Sequence, residues 1–329
     1  VLLRVLTYST DEAKTFVEAQ SSDANAAIAD FRLGISRPEP AFEKGSAAHT
    51  MANQLLCWRE GQDDQKNVGD VIYGYSGEPR GSHVLETLLR LCPDDMHEGI
   101  IKYGDFENPT SLTEYSEHEV SNFVVQTLLT TIRNKEQATR ILKSMEKVIS
   151  DGLAINPSKR RRGLFWRSCE VAAKFRVGQE SVLKAMRMGF GSTQEQGSSN
   201  DAAEASEGKK KKQRKKASAF DTKDCVPLLI GLKMPKEAGG KVMIDAAGAR
   251  AVYQMLHFAP RLCEDILKGV LDGLSSEEIE SLARDGLGSR CILDGMLEGP
   301  PNVPAFASAF KSLFSKLQGR WTSLATDRV

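Results

Sequence analysis

The sequence predicts an all-α fold built as a solenoid of stacked helical repeats, and three observations carry the prediction. A short motif that is polar at i, i+1 and i+4 and apolar between returns along the chain. Its copies stand 40 residues apart twice, from Ser82 to Asn122 and from Ala249 to Ser289. Around the clearest copies the same order recurs, a short helix, a polar-faced helix and an amphipathic helix. A period near 40 residues with helical patterning belongs to solenoids, where each unit buries its apolar face only against its neighbours. With 329 residues, 40% of them hydrophobic, there is material for a long array.

The elements follow in order. Residues 1–68 read as irregular remnants of earlier units, with Val5, Phe16, Val17, Ala26 and Ile28 at helical spacing, a helix near Ala47–Trp58 and a polar connection over Gly61–Asn67. A first repeat block spans 69–191. Val71–Tyr75 predicts a short helix joined by a Gly-Glu-Pro turn to a second one. There Ser82, His83 and Glu86 share one arc, while Val84, Leu85, Leu88 and Leu91 take the packed side. Pro93 stops it, lacking the N–H and clashing with the turn before. Ser111-x-x-Glu114 predicts a capping box. Asn122, Phe123 and Gln126 then repeat the polar arc. Asn134 is expected to cap an amphipathic helix through Ile141, Leu142, Met145, Val148 and Ile149, closed by Asp151-Gly152.

Two longer intervals break the period. A basic insertion near 156–163 precedes the weak copy Glu180-Ser181-Lys184. Residues 192–219 carry no large apolar side chain, so disorder is expected there. A second block, 220–329, holds the weak copy Ala249-Arg250-Tyr253, a Ser275-x-x-Glu278 cap and the copy Gly288-Ser289-Arg290, with Leu293 at its third place. Leu324–Val329 repeats the lead-in of that copy, so the last repeat reads as truncated, and the missing initial Met suggests a fragment.

Charge is balanced, 44 basic against 44 acidic residues, so any grip on a polyanion must be local. The band from Lys159 to Arg187 contains only Glu170 and Glu180 as acids, which makes Arg160, Arg161, Arg162 and Lys184 the candidates for phosphate contact. Lys209, Lys210, Lys211, Lys212, Arg214, Lys215 and Lys216 read as a nuclear or nucleolar address. The six cysteines are scattered without ligand spacing, so no metal, disulfide framework or cofactor is expected. No apolar run reaches the roughly 18 residues of a membrane span. Catalytic motifs are absent, and no enzyme is expected. Adjacent Ser82 and His83 diverge by ~100° on a helix and cannot share a proton.

The recurrent polar-faced helix resembles the base-reading helix of Pumilio (PUF) repeats, in which one repeat handles one RNA base. By that resemblance Ser82, Glu86, Asn122, Gln126 and Ser289 meet base edges, while His83, Phe123, Arg250 and Arg290 stack. Ser82/His83/Glu86 matches the guanine-reading combination and Asn122/Phe123/Gln126 the uracil-reading one. The chemistry agrees, since a carboxylate accepts from guanine N–H groups and an amide pairs with uracil's mixed edge. The phrases Gly-Ser-His-Val-Leu-Glu, Ser-Asn-Phe-Val-Val-Gln and Leu-Ala-Arg-Asp-x-x-Gly-Ser-Arg-x-x-Leu-Asp are most similar to the nucleolar protein 9 family of Pumilio-like factors, over roughly Gly69–Val329. That resemblance implies a curved solenoid in the nucleolus that binds single-stranded pre-ribosomal RNA and regulates processing of the small-subunit rRNA precursor. It implies pre-ribosomal assembly factors as partners and a monomer. The rival reading is an armadillo- or HEAT-like scaffold whose groove holds a peptide. The plainer alternatives are a solvated helix face at Ser82/His83/Glu86, a packing aromatic at Phe123, a solubilising run at Lys209–Lys216 and accidental clustering of the basic band.

Overall fold

Apolar residues three and four apart build one packed face per helix, and that spacing recurs in the helices of the described residues. The computed structural model describes residues 40–59, 66–155, 159–197, 221–232, 244–298 and 304–326. Among the described residues every regular element is helical. They are α1 (Ala47–Leu55), α2 (Lys66–Gly77), α3 (Pro79–Leu91), α4 (Asp94–Tyr103), α5 (Pro109–Glu117), α6 (Ser121–Thr131), α7 (Lys135–Ile155), α8 (Lys159–Phe175) and α9 (Gln179–Gly197). There follow α10 (Thr222–Leu229), α11 (Ala246–Met255), α12 (Pro260–Leu271), α13 (Ser276–Arg284), a π-helical turn Gly288–Leu293, α14 (Asp294–Leu297), α15 (Pro304–Lys316) and α16 (Trp321–Thr326).

Two compact units result, one taking the described residues up to Val148 with Gly163–Val182, the other Ile149–Arg162 with Leu183–Val329. In the first, α2–α4 and α5–α7 form successive three-helix repeats, and the second helices α3 and α6 pack side by side. Leu85, Leu89, Ile100, Leu112, Leu128 and Ile132 are buried in this unit. In the second, α11 packs against the π turn and α12 against α15. Its core holds Val252, Met255, Ile266, Val270, Ile279, Leu282 and Leu293.

Polar groups tie repeat to repeat. The buried Arg133 guanidinium donates to the carbonyl of Cys92 at 2.6 Å and to Asp94 at 2.5 Å, closing the C-terminal end of α3 in the preceding repeat. Arg140 bridges Glu107, at 2.6 Å, and Glu98. In the other unit Arg320 joins Glu277, at 2.6 Å, and Glu280.

Several local expectations hold. Asn134 accepts the Gln137 amide at 2.9 Å, and Ser275 with Glu278 forms the capping box. Others are corrected. The helix expected to open at Ser111 begins at Pro109, because proline suits the first turn and Asn108 caps it through the Thr110 amide at 2.9 Å. Ser111 instead donates to Asp105 at 2.5 Å. Asp151-Gly152 does not close α7, which runs to Ile155 so that Leu153 can pack at Gly189, where an added Cβ would sit 2.7 Å from the Leu153 Cβ. The basic insertion continues into helix, with Arg160, Arg161 and Arg162 on α8. Helix α9 extends to Gly197, past the start of the stretch expected to be disordered, and residues 198–220 lie outside the described residues. Residues 1–39, and with them the first apolar positions noted above, also lie outside them. Leu91, expected on the packed side, is exposed.

Candidate nucleic-acid interface

Four of the described copies, on α3, α6, α11 and the π turn, begin with one device. Glu78 accepts the Gly81 amide at 2.5 Å, Asp245 the Gly248 amide at 2.7 Å and Asp285 the Gly288 amide at 2.8 Å. At α6 the His118 ring nitrogen Nδ1 takes the Ser121 amide at 3.3 Å. Each cap stands three residues before its donor and satisfies an amide that the first turn leaves without an intrahelical partner. Glycine is needed there by close approach: a Cβ would lie 2.8 Å from Tyr75 Cα at Gly81, 1.9 Å from the Leu229 oxygen at Gly248 and 2.8 Å from the Leu282 oxygen at Gly288. Ser121 uses the same spot to donate to the Ser76 carbonyl at 2.9 Å. The residues that follow, Ser82, Asn122, Ala249 and Ser289, therefore leave the first helix at one common register. This acid-x-x-Gly signature stands in the sequence, but helical periodicity alone does not single it out.

On α3 and α6 the expected polar arc is only partly open. His83 and Phe123 are exposed, the latter by 53%. Ser82 is buried and donates to the Pro79 carbonyl at 2.9 Å. Glu86 is also largely buried, accepting from Thr127 of α6 at 3.0 Å and from Arg90 at 3.2 Å. For Glu86 the cause is the neighbouring helix α6, whose Thr127 covers its carboxylate. Asn122 turns its amide back to the carbonyls of His118, at 3.1 Å, and Glu119, at 2.7 Å, and accepts from Gln126 at 3.1 Å. The half-buried Gln126 keeps its carbonyl oxygen, which lies where a Cβ on Gly163 would approach to 3.0 Å.

In the second unit Lys184, Arg250 and Arg290 are exposed and Ser289 is half-buried. Burial pushes the Cys291 thiol up, and the Arg250 and Arg290 cations oppose it. The π turn changes the third place of this repeat. Leu293 is fully buried, a gain of roughly 2 kcal/mol for a leucine side chain, and the half-buried Asp294 follows it. A π turn carries one extra residue, so the polar group falls at i+5 from Ser289 rather than i+4. Tyr253 packs over Gly295, where a Cβ would meet its ring at 2.9 Å.

Arg162, expected at phosphates, is buried instead. It pairs with Asp245 at 3.0 Å and donates to the Leu229 carbonyl at 3.2 Å, so it holds the cap of α11. Nothing is described of the Arg160 and Arg161 side chains, and Lys209–Lys216 lies outside the described residues.

The NOP9-like PUF repeat domain matches residues 33–329 of the chain. Among solved structures, APUM23 with GGAUUUGACGG superposes at TM-score 0.61 and 18% identity, covering 83% of this chain and 46% of that one. An APUM23 form lacking its insert region, with GGAAUUGACGG, gives TM-score 0.62 and 17% identity over 86% and 50% of the two chains. The chain thus spans about half the length of the solved structures it matches. No curated protein matches it.

Proposed function

The chain belongs to the NOP9-like PUF repeat family, and from that premise we propose that it binds single-stranded RNA along its second helices, one base per repeat, without catalysis. The observation that carries the reading is the shared start of α3, α6, α11 and the π turn. One capping geometry presents Ser82/His83, Asn122/Phe123, Ala249/Arg250 and Ser289/Arg290 alike. At each start the second residue, His83, Phe123, Arg250 or Arg290, is exposed and has a flat face that can stack on a base. Glu86, Gln126 and Ser289 lie beside them as edge contacts, with Ser82 and Asn122 setting the helix geometry from below. Arg160, Arg161 and Lys184 supply phosphate contacts. The target class is pre-ribosomal RNA, the process is maturation of the small-subunit rRNA precursor, and the place is the nucleolus. The resemblance of the Gly-Ser-His-Val-Leu-Glu and Leu-Ala-Arg-Asp phrases to the nucleolar branch of the family supports these three. The protein acts as a monomer beside pre-ribosomal assembly factors.

The test is binding across RNAs varied at single positions. Gln126→Ala is expected to relax preference at one nucleotide by about 1–3 kcal/mol and leave the others. Gln126 is the better probe than Asn122, whose amide also closes the start of α6. Equal weakening for every RNA, or none, would move the peptide-binding scaffold ahead.

A further inference from the structure

Three groups on two repeats form a closed triangle. Glu86 Oε2 accepts from Thr127 Oγ1 at 3.0 Å and from Arg90 Nη2 at 3.2 Å, and the same Nη2 lies 3.1 Å from Thr127 Oγ1. Glu86 and Arg90 are on α3, Thr127 on α6 of the next repeat. An ionised carboxylate only accepts, with about two lone-pair directions on each oxygen. Oε2 is therefore filled. Oε1 takes no part in the triangle and lies 3.7 Å from the Nδ1 of His83, a side chain 81% exposed.

We propose that Thr127 and Arg90 are positioning residues that hold Glu86 for base reading, so that the edge contact of one repeat is set by the repeat after it. The proposal rests on the RNA-reading function argued above. Three physical consequences support it. Anchoring Oε2 fixes the long Glu side chain before RNA arrives, so less rotamer freedom is lost on binding. The Arg90 charge offsets the carboxylate, which would otherwise repel a polyanion. With only Oε1 outside the triangle, the contact takes one oxygen and suits a base edge that presents N–H donors, the Watson–Crick edge of guanine, while uracil and adenine offer that oxygen an acceptor beside their single donor.

The experiment compares wild type, Glu86→Gln, Thr127→Val, Thr127→Ser and the double variant Glu86→Gln/Thr127→Val on RNAs varied one base at a time. Glu86→Gln should cut the preference for guanine at one nucleotide by roughly tenfold, the scale of a good edge contact. Thr127→Val should weaken the preference at that same nucleotide and add nothing in the Glu86→Gln background, and Thr127→Ser should restore it, since it keeps the hydroxyl. If Glu86→Gln leaves every preference unchanged, base reading at this repeat is wrong and the proposal goes with it. If Glu86→Gln relaxes the preference but Thr127→Val does not, or if Thr127→Ser loses it as fully as Thr127→Val, the positioning role alone is overturned. A variant that merely loosened packing would lower the melting temperature and weaken all RNAs equally, which also counts against the proposal.

Discussion

His97 shows what burial does to a single titratable side chain. Its Nε2 lies 3.2 Å from the Thr131 hydroxyl and its Nδ1 is buried without a hydrogen-bond partner. Burial, helped by the Arg133 cation and opposed by Asp94, lowers its pKa to about 3. The depressed value means that the unfolded chain takes up a proton that the folded chain refuses. Stability from this residue is therefore complete above the ordinary value of 6.5 and is lost as pH falls toward about 3. Urea unfolding at pH 7.5 and pH 5 should show a loss of about 2 kcal/mol from this group. His97→Gln, which cannot titrate, should show a flatter profile, and equal profiles would contradict the assignment. At Gly99, one turn from the same helix start, a Cβ would fall 1.8 Å from the Trp58 ring, so Gly99→Ala should displace the indole and its edge-on contact with Tyr103.

At the scale of the element, α3, α11 and the π turn share an acid-x-x-Gly start, while α6 uses His118 with Ser121 at the same offset. Asp285→Ala removes the cap of the π turn and should cost about 1 kcal/mol, measured by thermal or urea unfolding. Asp245→Ala should cost more. One carboxylate oxygen caps Gly248 while the other pairs with Arg162, so its loss also strands a buried guanidinium. Conversely, Arg162→Ala should destabilise by about 3 kcal/mol and leave discrimination between RNAs unchanged. Much of the element pattern was legible locally. Pro93, Asn134 and the Ser275/Glu278 box act within a turn of their own positions, and the structure uses them as the sequence indicates. Ser111 misled because a nearer device, Asn108 with Pro109, outranked it.

For the whole molecule, phosphate contacts and base contacts should separate by salt. Removing one cation from a phosphate of a single strand should flatten the slope of log affinity against log salt by about 0.7. Lys184→Ala should therefore flatten it by that amount and Arg160→Ala with Arg161→Ala by about twice as much, for every RNA sequence alike. Gln126→Ala should leave the slope unchanged. Titrations at several salt concentrations read both quantities from one protein preparation. A slope change confined to one sequence would reassign the cation concerned to a base edge.

The sequence by itself determined the helical class, the 40-residue period and the family, because apolar spacing and capping residues act over a few positions. By the family resemblance it also singled out His83, Phe123, Arg250 and Arg290 as stacking residues, and all four are exposed. Tertiary structure decided the rest. Ser82 and Glu86 share an arc with His83 on an isolated helix, yet both are buried and Thr127 of α6 takes one carboxylate oxygen of Glu86. Arg162 belongs by sequence to a basic band, yet Asp245 and the Leu229 carbonyl draw it inside. At the π turn, burial of Leu293 moved the third place of the repeat to Asp294. In each case the deciding partner is distant in sequence or the helical repeat itself has changed, and a fixed 3.6-residue period carries information about neither.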